Sequence, residues 1–387
     1  MLAIKNAKIY TVTNGVIEKG TVLIDGDKIK AVGEKVRIPK GSDVIDATGK
    51  CVMPGMIDAH THVSVMTSPL AQTELTDHNE SSVPATPYVR ALDAIYPYDA
   101  AVKTARSAGL TTVCSLPGSI NVIGGTGVVI KLKQAETAEE MVVPALEQMK
   151  FAFGENPRNK YNERNMTPKT RMGVASVLRE NLFNAKKYSD QLLKHGKDPS
   201  KPAPKPDFRL ESMLKTVRGE AVCRIHCHRA DDIASAVRIA KEFGLRYTLE
   251  HVTEGYMMLE FLKREDPVCV VGPITTAPKK TELVNKKLEN IAILANAGLR
   301  VCLCMDCSYN EYMLPIEAGL AMAYGLSEED AFKAVTIRPA EVLGIADRVG
   351  SIEAGKDADL AIFNGFPFEN FSRCEKTVID GVVYDNL

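Results

Sequence analysis

Charge of one sign is what this chain most conspicuously lacks. Its 48 lysines and arginines nearly cancel its 49 aspartates and glutamates. No electrostatic footprint therefore points to nucleic acid or to an anionic membrane. The sequence also lacks any apolar run of the roughly 18 residues that a membrane helix needs. The N-terminus, Met1-Leu2-Ala3-Ile4-Lys5, shows no charged segment followed by an apolar core, so no signal peptide is expected. A disulfide framework is missing as well. Nine cysteines, irregularly spaced and mostly in apolar strand-like runs, suit reduced thiols in a cytoplasm, which is the expected compartment. Internal repeats are absent. The partners left open are a small-molecule substrate and, among proteins, further copies of this chain in a homo-oligomer.

What is present begins with short β-branched runs. Residues 7–12, 21–24 and 28–32 are separated by Asn14-Gly15 and Asp25-Gly26-Asp27, both hairpin-turn signals. Residues 358–363 and 377–384 look similar. Strands this few cannot bury both faces alone, so residues 1–52 and 346–387 are expected to form one small β-sandwich from both chain ends. Between them, residues 53–345 alternate strand-like and helix-like segments eightfold. That alternation marks an α/β fold, and eight units fit a (β/α)8 TIM-type barrel with its active site at the strands' C-terminal ends. Two stretches interrupt it. Residues 63–94 form a polar loop, and residues 194–209 carry Pro199, Pro202, Pro204 and Pro206 among lysines, as a solvated linker does. Gly124-Gly125-Thr126-Gly127 reads as a tight turn.

Chemistry gathers at strand ends. The apolar run from Val52 closes in His60 and His62. Alternation on a strand puts both on one face, so two imidazoles can grip one metal ion from a rigid support. Alone, the pair also fits two polar residues leaving a strand. Glu155, however, follows the fourth strand-like segment, His226 and His228 end the fifth, His251 the sixth and Asp306 the eighth. Each has an ordinary reading as a cap. Yet five of the seven histidines end three such strands, and in a barrel those ends converge on one cavity. Together they make a nitrogen/oxygen site suited to zinc, and also to iron, manganese or cobalt, with one or two ions. Cys302 and Cys304 share Asp306's face and read as small apolar filler inside the barrel. Asp77, Asn79, Glu80 and Arg90 could meet a charged substrate, although charged loops are usually only solvated.

Several motifs carry a family resemblance: residues 54–62 (Pro-Gly-Met-Ile-Asp-Ala-His-Thr-His), 108–113 (Ala-Gly-Leu-Thr-Thr-Val), Arg338-Pro339-Ala340 and 350–360. The chain resembles the amidohydrolase superfamily, in particular its imidazolonepropionase-like and prolidase-like members. The resemblance implies a (β/α)8 barrel with a β-sandwich from both termini. It also implies one or two divalent metals, zinc above all, held by His60, His62, Glu155, His226, His251 and Asp306. Many relatives bridge the metals with a carboxylated lysine. Here Glu155 is the expected strand-four group, because Lys150 lies deeper on that strand. His226 is assigned to the metal by its Ile-His-Cys context, and His228 is expected to face the substrate. The implied activity is metal-dependent hydrolysis of a C–N bond in an amide, cyclic amide, dipeptide or N-acyl amino acid. A metal-activated hydroxide would attack, and Asp306 would move its proton to the leaving nitrogen. A deaminase of the same fold is the alternative, but it normally carries a glutamate where Arg229 and Ala230 stand. An inactive scaffold would be expected to have lost ligands that this chain keeps.

Overall fold

The computed structural model describes residues 1–67 and 76–386, so part of the 63–94 loop lies outside the described residues. Five strands open the chain: β1 (Leu2–Tyr10), β2 (Val16–Asp25), β3 (Lys28–Gly33), β4 (Asp43–Asp46) and β5 (Cys51–Pro54). Eight more make the barrel: β6 (Met56–Thr61), β7 (Leu110–Ser115), β8 (Ile123–Lys131), β9 (Glu147–Ala152), β10 (Ala221–Cys227), β11 (Arg246–His251), β12 (Val268–Val271) and β13 (Val301–Leu303). The last three, β14 (Leu360–Phe363), β15 (Cys374–Ile379) and β16 (Val382–Asp385), return to the first group. The expected sandwich strands are hydrogen-bonded into one continuous sheet, in which β5 pairs antiparallel with β14 and so joins the two chain ends. Ile4, Ile9, Val22, Val52, Leu360 and Val378 pack together as its core.

The barrel strands follow one another in order from β6 to β13. One departs from the eightfold parallel expectation: β8 runs antiparallel to both β7 and β9. The reason is connection length. Only residues 116–122 join β7 to β8, whereas a parallel return needs a crossover of about a dozen residues or more. The Gly124–Gly127 segment accordingly lies within β8 rather than forming a turn. Gly125 has φ +111°, and a Cβ there would sit 2.2 Å from the Val89 carbonyl oxygen, so only glycine fits. Residues past β13 close the ring against β6. Asp306 N–H donates to the His60 carbonyl at 3.1 Å, and His62 N–H to the Cys307 carbonyl at 3.1 Å. The gap is thus sealed where His60, His62 and Asp306 emerge.

Apolar side chains from β6, β7, β8, β12 and β13, among them Cys114, Cys302 and Cys304, pack with Ala340 and Leu343 of the helix Ile337–Leu343. Burial pushes the Cys302 and Cys304 thiols up, so they fill space and do not ionise. The proline-rich stretch is shorter than expected, because the 27-residue helix Arg171–Lys197 extends into its start. No helix among the described residues is long and apolar enough to cross a membrane.

Candidate active site

Inside the barrel, polar side chains stack in layers, as alternation from neighbouring strands requires. The Arg224 guanidinium donates to Gln148 at 3.2 Å, to Thr248 at 2.8 Å and to both Glu250 oxygens at 2.8 and 2.9 Å. All of these groups are buried. Burial pushes the Glu250 carboxyl up, but Arg224 and His60 outweigh it and hold the group ionised. Glu250 therefore accepts, and the His60 Nδ1–H donates to it at 2.6 Å. The sequence reading missed Glu250 and Arg224. Their signal was the inward phase they share with Thr248 and His226.

The same logic fixes two more tautomers. His62 Nδ1 lies 2.8 Å from the Leu116 carbonyl, and His251 Nδ1 lies 2.8 Å from the Gly272 carbonyl. A carbonyl only accepts, so each Nδ1 carries the proton. Burial lowers both imidazoles, His251 to about 4, which keeps them neutral at pH 7. Their Nε2 lone pairs, with that of His60, turn toward Asp306. Its Oδ1 lies 3.2 Å from His60 Nε2 and 3.3 Å from His62 Nε2, and its Oδ2 lies 3.9 Å from His251 Nε2.

Two of these residues reach the site by unusual backbone. His251 is out of phase with the inward-facing Thr248 and Glu250, but its φ of +71° turns the ring inward; Asp306 leaves its strand at φ +50°. Histidine and aspartate are among the residues that tolerate this region. Each such residue stores about 1–3 kcal/mol and clusters at functional sites.

The rings form one contiguous set. Centroids lie 5.0 Å apart for His60 and His251, 4.6 Å for His251 and His226, and 4.6 Å for His226 and His228. His60, His251 and Asp306 make one group that could hold an ion, and His226, His228 and His251 a second. Among the described residues, both His226 ring nitrogens and His251 Nε2 are buried without a hydrogen-bond partner. Lone pairs facing a carboxylate across 3.2 Å repel unless a cation stands between them. The donor set therefore fits a divalent metal, in the nitrogen/oxygen chemistry of zinc, iron, manganese or cobalt.

His228 differs from His226. Lys280 Nζ donates to His228 Nε2 at 3.3 Å, so the ring's Nδ1–H donates to Thr253 Oγ1 at 2.7 Å. His228 also lines a cavity of about 360 Å³ together with His251 and Asp306. A larger cavity of about 780 Å³, beside Tyr10 and Phe332, contains none of the histidines.

The strand-four position departs from expectation. Glu155 begins the helix Glu155–Glu163, its N–H donating to Glu282 Oε2 at 2.9 Å, and it joins neither ion-holding group. Lys150 does reach the centre: its Nζ lies 2.7 Å from His60 Nε2. The residue is deeper in the strand, as expected, but a four-carbon stem spans the extra layer. Burial pulls its ammonium down to about 8. Glu282, which the sequence reading did not single out, packs behind the second group, 3.8 Å from His226 and 3.6 Å from His228. Of the polar residues in the loop after β6, Arg90 pairs with Asp93 at 2.6 Å in solvent, and Asn79 accepts from the Ile120 N–H.

A barrel with a histidine–aspartate cluster at its strand ends defines a class of hydrolase folds, and the comparisons narrow it. The amidohydrolase family model matches residues 51–384. This chain belongs to the amidohydrolase family. It is similar to the crystal structure of an amidohydrolase from Thermotoga maritima MSB8, with a TM-score of 0.95 and 39% identity over 100% of both chains. It is also 26% identical to an imidazolonepropionase of Geobacillus kaustophilus, over 90% of this chain and 85% of that one. Amidohydrolase tasK of Hapsidospora irregularis is 27% identical over 94% of this chain, which spans only 39% of that relative's length.

Proposed function

We propose that this chain is a metal-dependent hydrolase of a C–N bond in a small amide, cyclic amide, dipeptide or N-acyl amino acid. The observation that carries this reading is the set of imidazoles with Nδ1 committed to protein acceptors and Nε2 aimed at Asp306. His60, His62, His226, His251 and Asp306 would hold the metal. Bound there, a divalent cation lowers the pKa of water toward neutrality and polarises a carbonyl.

The remaining work falls to the protein. Lys150, rather than Glu155, would supply the strand-four ligand, its amine taking up carbon dioxide to form a carbamate with release of a proton. Glu250 holds His60 in the required tautomer. Asp306 borders the cavity and takes a proton from the attacking water, then returns it to the leaving nitrogen. His228 faces the same cavity and positions substrate.

Metal analysis joined to a turnover screen of those substrate classes tests the reading. One to two equivalents of metal are expected, with activity lost on chelation and regained on metal return. Asp306→Asn should keep the fold and lower kcat by about 10²–10⁴-fold, the range for proton-transfer groups. An active metal-free protein, or normal turnover by D306N, would overturn it.

A further inference from the structure

The cavity beside His228 and Asp306 is walled on one side by Lys279, Lys280 and Lys286, all from the segment after β12. Their bonding differs. Lys280 spends its three donors inside the protein, on Glu282 at 2.8 Å, Asn156 at 3.2 Å and His228 at 3.3 Å. Lys286 is half-buried and donates to two carbonyls, Pro273 at 2.8 Å and Thr276 at 2.6 Å. Its third N–H has no acceptor among the described residues, and no carboxylate there forms an ion pair with it or with Lys279.

The negative charge that acts on Lys286, Glu317, is committed elsewhere. Its oxygens accept from the Ile274 N–H at 2.6 Å, the Thr275 N–H at 3.0 Å and the Thr275 hydroxyl. Burial consequently pulls the Lys286 ammonium down to about 8, against a weaker opposing pull from Glu317. An ammonium that is partly desolvated, fixed in place and short of a counter-charge is arranged to receive one from a ligand.

We propose that the substrate carries a carboxylate, and that Lys286, with Lys279 beside it, recognises that group. This rests on the hydrolase reading and narrows it to anionic substrates small enough for about 360 Å³. Lys280 is a positioning residue that holds His228 rather than a reader of the carboxylate.

Matched pairs of substrates test the proposal on metal-loaded protein: N-acyl amino acids, dipeptides and cyclic amides, each as free acid and as primary carboxamide. Free acids should be preferred in kcat/KM by about 10–100-fold, the worth of a charge-assisted hydrogen bond. Lys286→Met should raise KM for the acids about tenfold with kcat within a few-fold, and collapse the acid-to-amide ratio. Because that change also removes two loop contacts, Lys279→Met provides the second variant, with the same direction and a smaller drop. Equal use of acids and amides, or an unchanged ratio in both variants, would overturn the proposal.

Calorimetric binding of an N-acetyl amino acid and its carboxamide to the same proteins separates this proposal from the reading beneath it. Acid-selective binding without turnover of any pair would sink the hydrolase reading alone. Binding blind to the carboxylate would sink this proposal alone.

Discussion

Two buried charge clusters lie at opposite ends of the barrel's chemistry, and they are built on opposite terms. One sits where β8 meets the sheet formed by both termini. Lys131, 2% exposed, contacts Asp357 at 2.8 Å, Asp359 at 3.1 Å and Asp380, while Lys28 and Arg348 also reach Asp357. Every carboxylate there has a cation supplied by the chain. The other cluster surrounds Asp306 and faces it with imidazole lone pairs. Among the described residues, its ammonium contact is Lys150 against His60. The first cluster is closed and joins two parts of the fold; the second is short of positive charge and asks for it from outside. Burial alone does not separate structural from functional polar groups. The charge left unbalanced does.

The sharpest way to break this contrast is to remove the lysine from each cluster. In the open one, Lys150→Ala should leave a folded protein that has lost metal and at least about 10³-fold in turnover, the scale on which a proton-activating centre contributes. If the side chain is carboxylated, short carboxylic acids should partly restore activity, because they can occupy the space of the missing carbamate. Glu155→Gln should remain active and keep its metal. The opposite pattern, a dead Glu155→Gln beside a working Lys150→Ala, would return the bridging role to Glu155. Metal content and turnover of the two variants decide it.

In the closed cluster the same operation should strike stability. Lys131→Met leaves Asp359 and Asp357 buried without their shared cation, and breaking such a pair costs about 3–5 kcal/mol. The loss should appear in the free energy of denaturation, with metal content and kcat per folded molecule retained. A Lys131→Met protein of normal stability would show that Lys28 and Arg348 suffice to balance the three aspartates.

How much of this arrangement could be read from sequence depended on where regular geometry held. His60 and His62 obey strand alternation, and Asp306 and His226 close strand-like runs, so their convergence was legible. His251 also ends its strand, but only a left-handed φ, invisible in the residue pattern, brings its ring inward. Lys150 lies one layer deeper on its strand than the ring of ligands, which hides it in the residue pattern, although a lysine stem spans that layer. The reversed direction of β8 was within reach, since residues 116–122 are too few for a crossover. Glu250 and Arg224 were hidden because their partners lie on other strands, and only the barrel brings them together.

The smallest effect expected is in pH dependence, and it too separates the clusters. In the open one, burial moves His62, His226, His228 and His251 all downward, His251 to about 4 from 6.5. Unfolded chains therefore bind more protons than folded ones between those values. This contribution to stability is complete above about pH 6.5 and is lost as pH falls toward 4. In the closed cluster the shifts oppose each other. Burial raises Asp359 to about 6 despite Lys131, whereas Asp357 is lowered because bonds from Lys131 and Lys28 outweigh its burial. Asp359 alone makes folding more favourable as pH falls from 6 to 3.8, and Asp357 acts the other way. Acid sensitivity of the chelator-treated protein should thus trace to the histidines. Urea denaturation of that form should give lower stability at pH 5 than at pH 7. His251→Asn should flatten the slope, and Asp359→Asn should steepen it slightly by removing one of the opposing carboxyls, which burial also raises at Asp58, Asp232 and Glu311. A slope unmoved by His251→Asn would mean that the open cluster does not govern the protein's response to acid.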